Sequence, residues 1–128
     1  MSEPIWLDIR DIVDIHAEQL AMFGGSEGIR DQGLLESAML RPVNQWHYGQ
    51  TEMAVLAAAY AFGLARNHPF VDGNKRAAFQ AMMVFLRING IPFAPRPSDA
   101  TAIILSLAAG EVGEEGLTRW IRDNWPPG

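Results

Sequence analysis

Apolar residues recur along this chain at three- and four-residue intervals, and no segment sustains the every-other-residue alternation of a half-buried strand. Ile9, Ile12, Val13, Ile15 and Leu20 trace a stripe within Ile5 to Met22, with Asp8, Asp11 and Asp14 near its start favouring the helix dipole. Phe23-Gly24-Gly25 ends that helix, because glycine readily takes the left-handed C-terminal conformation. A shorter helix is predicted from Gln32 to Leu40, with Leu34, Leu35, Ala38 and Met39 inward and Pro42 beyond its end. Val43 to Gln50 reads as a loop or flap. Thr51 and Glu52 then open a helix through Arg66 that is apolar nearly all round and so belongs at the centre. A second central helix runs from near Asn74 to about Asn89, where Asn89-Gly90-Ile91-Pro92 stops it. Ser98 or Asp99 caps a helix through Ala109, and Glu114 to Asp123 forms the last. The prediction is all-α: a single compact domain over residues 1–128, about six helices, with two central apolar helices joined by a short polar loop.

Composition narrows the class. At 128 residues and 48% hydrophobic content, one domain can bury a core without staples, and the absence of cysteine removes disulfides and thiolate metal sites. Glu3, Asp8, Arg10 and Asp11 break any leader-like opening, and Ala54 to Ala65 is too short to span a bilayer, so a cytoplasmic protein without membrane contact is expected. A net charge of −5 disfavours direct nucleic-acid binding, which needs clustered cations. The single lysine, Lys75, lies beside Arg76 in the loop between the central helices. An acidic body with one local cationic pair points to a small polyphosphate in a pocket rather than to a long polyanion.

That loop, His68-Pro69-Phe70-Val71-Asp72-Gly73-Asn74-Lys75-Arg76, gathers the candidate chemistry. His68 is suited to take a proton from a hydroxyl; read alone, a helix C-terminal contact or a satisfied core imidazole is the favoured role. Phe70 plugs into the core and pins the loop. Asp72 suits Mg²⁺, or else the N-terminal end of a helix. Gly73 lets its N–H approach a ligand, and Asn74 is a good N-cap for a turn whose backbone donors face outward. Lys75 and Arg76 sit in a first helical turn, where cations disfavour the helix itself; a bound phosphate explains that placement, and a solvated pair is the plainer alternative. His16 is expected to have surface or packing duty, Arg30-Asp31 a helix-start or loop salt bridge, and Met82-Met83 a place in the core. Trp46-His47-Tyr48-Gly49 reads either as a flap that aligns an extended protein substrate or as two aromatics capping the core.

The nine residues resemble the signature of the Fic/Doc family, His-x-Phe-x-Asp/Glu-Gly/Ala-Asn-x-Arg, with every fixed position filled. Gly24-Gly25-Ser26-Glu27-Gly28-Ile29-Arg30-Asp31, Gly33 to Ala38, Arg41-Pro42, Leu107 to Glu111 and Trp120 extend the likeness to Doc-type (death-on-curing) toxins. Adenylyl-transferring members typically carry glycine between the Asn and the Arg, and a second arginine three residues further on. Here those positions hold Lys75 and Phe79, the Doc pattern. The resemblance implies a nucleotide bound in reversed orientation, with the γ-phosphate of ATP facing the attacking Thr or Ser hydroxyl. His68 would be the base, Asp72 the Mg²⁺ ligand, and Gly73, Asn74, Lys75 and Arg76 the phosphate cradle, with Arg66 a further candidate phosphate contact. It also implies elongation factor Tu as protein substrate, blocked translation as the outcome, and a Phd-type antitoxin as neutralising partner. No internal inhibitory Ser/Thr-x-x-x-Glu-Gly/Asn helix is evident, so restraint is expected from a separate chain. The alternatives are AMP transfer on the same fold, or a non-catalytic domain binding nucleotide or antitoxin.

Overall fold

A computed structural model describes residues 2–128. Six helices follow in order: α1 (Ile9–Phe23), α2 (Gln32–His47), α3 (Met53–Asn67), α4 (Asn74–Ile88), α5 (Pro97–Ala108) and α6 (Glu114–Asp123). Among the described residues there is no strand, only an isolated antiparallel bridge between Ile29 and Phe70. The all-α prediction holds, and no helix is long and apolar enough to cross a membrane.

The uniformly apolar segment is central, as its pattern demands. Ala54, Leu56, Ala57, Ala58, Ala61 and Leu64 of α3 are buried, and α3 packs against α2, α4, α5 and α6. Its alanines leave room for close neighbours, while Tyr60 fills the space towards the N-terminal segment. The Tyr60 hydroxyl accepts from the Leu7 N–H at 3.0 Å and donates to the Leu7 carbonyl at 3.3 Å, so a buried phenol and a loop backbone satisfy each other. Trp6 stacks on Phe85 of α4 with centroids 5.7 Å apart, extending the core over this segment.

Three element boundaries differ from the sequence prediction, each for a local reason. Ile5 to Leu7 is not helical. The Asp8 side chain caps the Asp11 N–H, and the Asp11 side chain returns to the Asp8 N–H, so the reciprocal box starts α1 at Ile9. Residues 43–47, expected in a loop, continue α2 past Pro42. Proline forfeits one helical N–H bond, at a cost of about 3 kcal/mol in a helix interior. Leu35, Ala38, Met39 and Pro42 are nonetheless buried on one stripe, and Trp46 beyond them packs edge-on to Trp6 at 6.3 Å. Burying that stripe outweighs the lost bond. Finally, α5 begins at Pro97 with Arg96 as N-cap, rather than being capped by Ser98 or Asp99; proline at the first helical position lacks only an N–H that would be unpaired anyway.

Candidate functional site

Two loops meet at one end of the α3–α4 pair. The first, residues 24–31, leaves α1; the second, residues 68–73, joins α3 to α4. The Arg30 and Asp31 N–H groups donate to the Pro69 carbonyl at 2.7 and 3.1 Å, and the Val71 N–H donates to the Gly28 carbonyl at 3.0 Å. The segment that straps the motif loop by backbone pairing is therefore 28–31. Trp46 and His47 belong to α2, and Tyr48 is 93% exposed, so Trp46 alone packs on the core.

The C-terminal ends of α3 and α1 at this junction are closed by arginines from elsewhere in the chain. Arg30 donates through Nε to the His68 carbonyl at 2.6 Å and through Nη2 to the Asn67 carbonyl at 2.7 Å, satisfying the C-terminal end of α3. It makes no salt bridge; Asp31 instead N-caps α2 through the Leu34 N–H. Arg76 donates to the Gln19 carbonyl at 3.3 Å and the Gly24 carbonyl at 3.0 Å, closing the C-terminal end of α1, and its guanidinium lies over the Phe23 ring. Position 76 thus has a structural duty besides the phosphate contact that its place in the motif suggests.

His68 occupies the C-cap of α3 in the left-handed region, at φ 47° and ψ 54°, and is the single non-glycine residue with positive φ among those described. Such a conformation costs a β-carbon-bearing residue roughly 1–2 kcal/mol, and strain of this kind concentrates at functional positions. The residue is exposed, and among the described residues no hydrogen bond holds its imidazole. A packed core histidine is thereby ruled out.

Asp72 is held from two sides. Its Oδ2 accepts from the Ser26 N–H at 3.2 Å and its Oδ1 from the Gly73 N–H at 2.8 Å. The Ser26 and Gly73 donors, and then the charges of Arg76 and His16, hold this carboxyl below its ordinary value of 3.8. The carboxylate approaches so closely that a β-carbon on Gly25, which has φ 127°, would lie 2.8 Å from Oδ2. Gly73 takes φ 76° as N-cap of α4. Its N–H, expected on a phosphate, is donated to Asp72.

Asn74 is not the N-cap. It is the first helical residue, is 8% exposed, and its amide clamps Phe70: Nδ2 donates to the Phe70 carbonyl and Oδ1 accepts the Phe70 N–H, both at 2.9 Å. The side chain expected to touch phosphate therefore fixes the loop instead. With no side-chain cap from Gly73 and with Asn74 turned inward, the backbone N–H groups of Asn74, Lys75 and Arg76 find no acceptor among the described residues. Three open donors at the positive end of a 15-residue helix are chemically suited to an anion.

Lys75 is exposed beside this turn and, with Arg76 and half-buried Phe79, borders a groove of ≈ 550 Å³ between α1, α4 and α5. Arg66 stands apart from these contacts, its guanidinium over the Phe62 ring at 5.2 Å, where Arg41 also sits at 4.9 Å. For a metal, Asp72 is the sole carboxylate held in the loop, and no group of three or more His, Cys, Asp or Glu is assembled among the described residues. Each Asp72 oxygen accepts one hydrogen bond and keeps acceptor capacity, which suits Mg²⁺ shared with phosphate oxygens and water. His16, expected to have only surface or packing duty, is buried against this loop; its apolar-stripe position on α1 was the available signal.

Comparison with known proteins agrees with this geometry. The chain is 45% identical over 92 residues to "Toxin Doc" of Mycolicibacterium smegmatis, covering 70% of this chain and 68% of that protein. It is 28% identical over 113 residues to "Protein kinase doc" of Escherichia phage P1, covering 88% of this chain and 89% of that protein. The model of the Fic/DOC family matches residues 6–86, which include both loops and the α4 N-terminus, and the chain belongs to that family.

Proposed function

We propose that this chain is the toxin of a toxin–antitoxin module and acts as a protein kinase of the Doc type, transferring the γ-phosphoryl group of Mg·ATP to a Thr or Ser hydroxyl. One observation carries the reading above the others: three unpaired N–H groups open the α4 helix, with Lys75 exposed beside them and the Asp72 carboxylate in the preceding turn. Bound Mg·ATP supplies the phosphoryl donor and neutralises charge on its phosphates. Asp72, ionised and aimed by Ser26 and Gly73, holds the metal. The Asn74, Lys75 and Arg76 N–H groups and the Lys75 ammonium hold phosphate oxygens, and this positioning is the main protein contribution to phosphoryl transfer. His68, exposed and unengaged, accepts the proton of the substrate hydroxyl. Arg76 joins the phosphates by turning from the α1 carbonyls; Arg66 contributes only by leaving the Phe62 ring.

Phosphate rather than AMP transfer is favoured by Lys75, which adds a donor where glycine would leave space, and by Phe79, which borders the groove where a second arginine would grip distal phosphates. Elongation factor Tu is the proposed substrate, a Phd-type antitoxin the proposed partner, and the cytoplasm the proposed location. The test uses α-labelled and γ-labelled ATP separately, with purified elongation factor Tu. Label should pass from the γ position, and His68→Ala should lower the rate about 10²–10⁴-fold without altering the melt. Transfer from the α position alone would overturn the kinase assignment in favour of adenylylation.

A further inference from the structure

His16 is 5% exposed, the one buried ionisable group at this junction, and the chemistry above does not use it. Its Nε2 lies 2.7 Å from the Asp72 carbonyl oxygen. A carbonyl only accepts, so Nε2 carries the hydrogen and donates. The ring lies flat on Phe70, with centroids 3.8 Å apart and planes within 5°. A β-carbon on Gly73 would sit 3.5 Å from the same nitrogen. One imidazole from α1 thus touches two structural points of the motif turn, the Phe70 ring and the Asp72 carbonyl, and would meet any side chain placed at Gly73.

The bond to the carbonyl has a consequence for the carboxylate. In a trans peptide the C=O and the following N–H point in opposite directions. Drawing the Asp72 carbonyl towards α1 directs the Gly73 N–H away from α1, where it meets Asp72 Oδ1 at 2.8 Å. We infer that His16 is a positioning residue: by gripping the Asp72 carbonyl it sets the peptide plane that aims the Asp72 carboxylate and starts the α4 anion site. This rests on the kinase reading for its catalytic consequence, whereas the effect on the turn itself does not.

Two measurements on the full chain separate these levels. The first is the Mg²⁺ concentration that half-saturates phosphoryl transfer from ATP; the second is the exchange rate of the Gly73 amide in ligand-free protein, followed by NMR. His16→Phe keeps a ring against Phe70 and removes the donor, whereas His16→Gln keeps an N–H donor and removes the ring. Loss of an outer partner of a metal ligand typically weakens the metal about 10–100-fold, so His16→Phe should raise the Mg²⁺ requirement by that factor and speed Gly73 exchange at least about tenfold. His16→Gln should return both to within about threefold of the parent, a rescue that packing alone does not give. Parental values in His16→Phe, or equal losses in Phe and Gln, would overturn the assignment. Should His16→Phe fail to fold, His16→Met replaces it as the donor-free variant, and equal values for Met and Gln would overturn the assignment in the same way. A parent that transfers no phosphate defeats the kinase reading, while the Gly73 arm still decides what His16 does to the turn.

Discussion

The N-termini of α1 and α4 solve the same problem in opposite ways. At α1, Asp8 and Asp11 cap each other's backbone with two bonds of 2.9 Å, and acidic charge lies where the helix dipole favours it. At α4 there is no side-chain cap, no acid in the first turn, and two cations in place of one. The first end is complete within the chain. The second is left with open donors and held in place by surrounding contacts: Asn74 on Phe70, His16 on Asp72, and the 28–31 strap. A helix end that is costly to leave open, yet braced so thoroughly, is one whose acceptor arrives from outside.

Substitutions that break this contrast should fall in a clear order. Asn74→Ala removes both partners of buried Phe70 backbone groups and should cost about 2–5 kcal/mol in a urea melt, with phosphoryl transfer abolished alongside. Gly73→Ala forces a β-carbon into φ 76° at 3.3 Å from Leu20 Cδ2. It should cost about 1–2 kcal/mol and weaken ATP binding by calorimetry, since the open turn must shift. In the parent, Mg·ATP at about 100 times its Kd should raise stability by about 2.7 kcal/mol in thermal melts, and Asp8→Ala should preserve that increment. Asp8→Ala by itself should give the smallest effect, a slightly lower Tm with unchanged transfer rate, because the N-terminal end of α1 faces solvent, away from the candidate site.

Acid sharpens the same contrast. The Asp11 and Ser26 backbone donors, respectively, are the largest influences holding Asp8 and Asp72 below the ordinary 3.8. A lowered folded value means that each stabilising contribution is fully present above 3.8 and is lost as pH falls through the folded value. Parent and Asp8→Ala should therefore differ in stability at neutral pH and converge as pH falls through the lowered folded value. The Asp72 carboxylate should stay charged, and Mg²⁺ uptake persist, down to about pH 4.

How much of this could be read from the chain depended on whether the signal was local. The central helices were legible because α3 is apolar around its whole circumference and α4 follows a clear stripe, and Glu114–Asp123 was placed to the residue. The nine-residue motif marked the candidate site without help from the fold. What escaped was set by distant partners. Pro42 argued for a helix end, and only burial against α3 reverses that local preference. Asn74 has the propensity of an N-cap, but Phe70, four residues back, claims its amide. Arg76 reads as a phosphate ligand, whereas in the ligand-free chain it closes α1, more than fifty residues away. Ser26 on Asp72 leaves no periodic trace, and the stripe position of His16 signals its burial but not its bond to the Asp72 carbonyl.

The strap made by residues 28–31 also fixes when the candidate site can assemble during synthesis of the chain. Its partners, Pro69 and Val71, lie some forty residues downstream, and the bonds of Ser26 and His16 to Asp72 reach further still. A growing chain that has exposed only α1 and α2 to solvent holds half of each contact. The loop around Asp72 is therefore incomplete until α4 has left the ribosome, however early its first half is made.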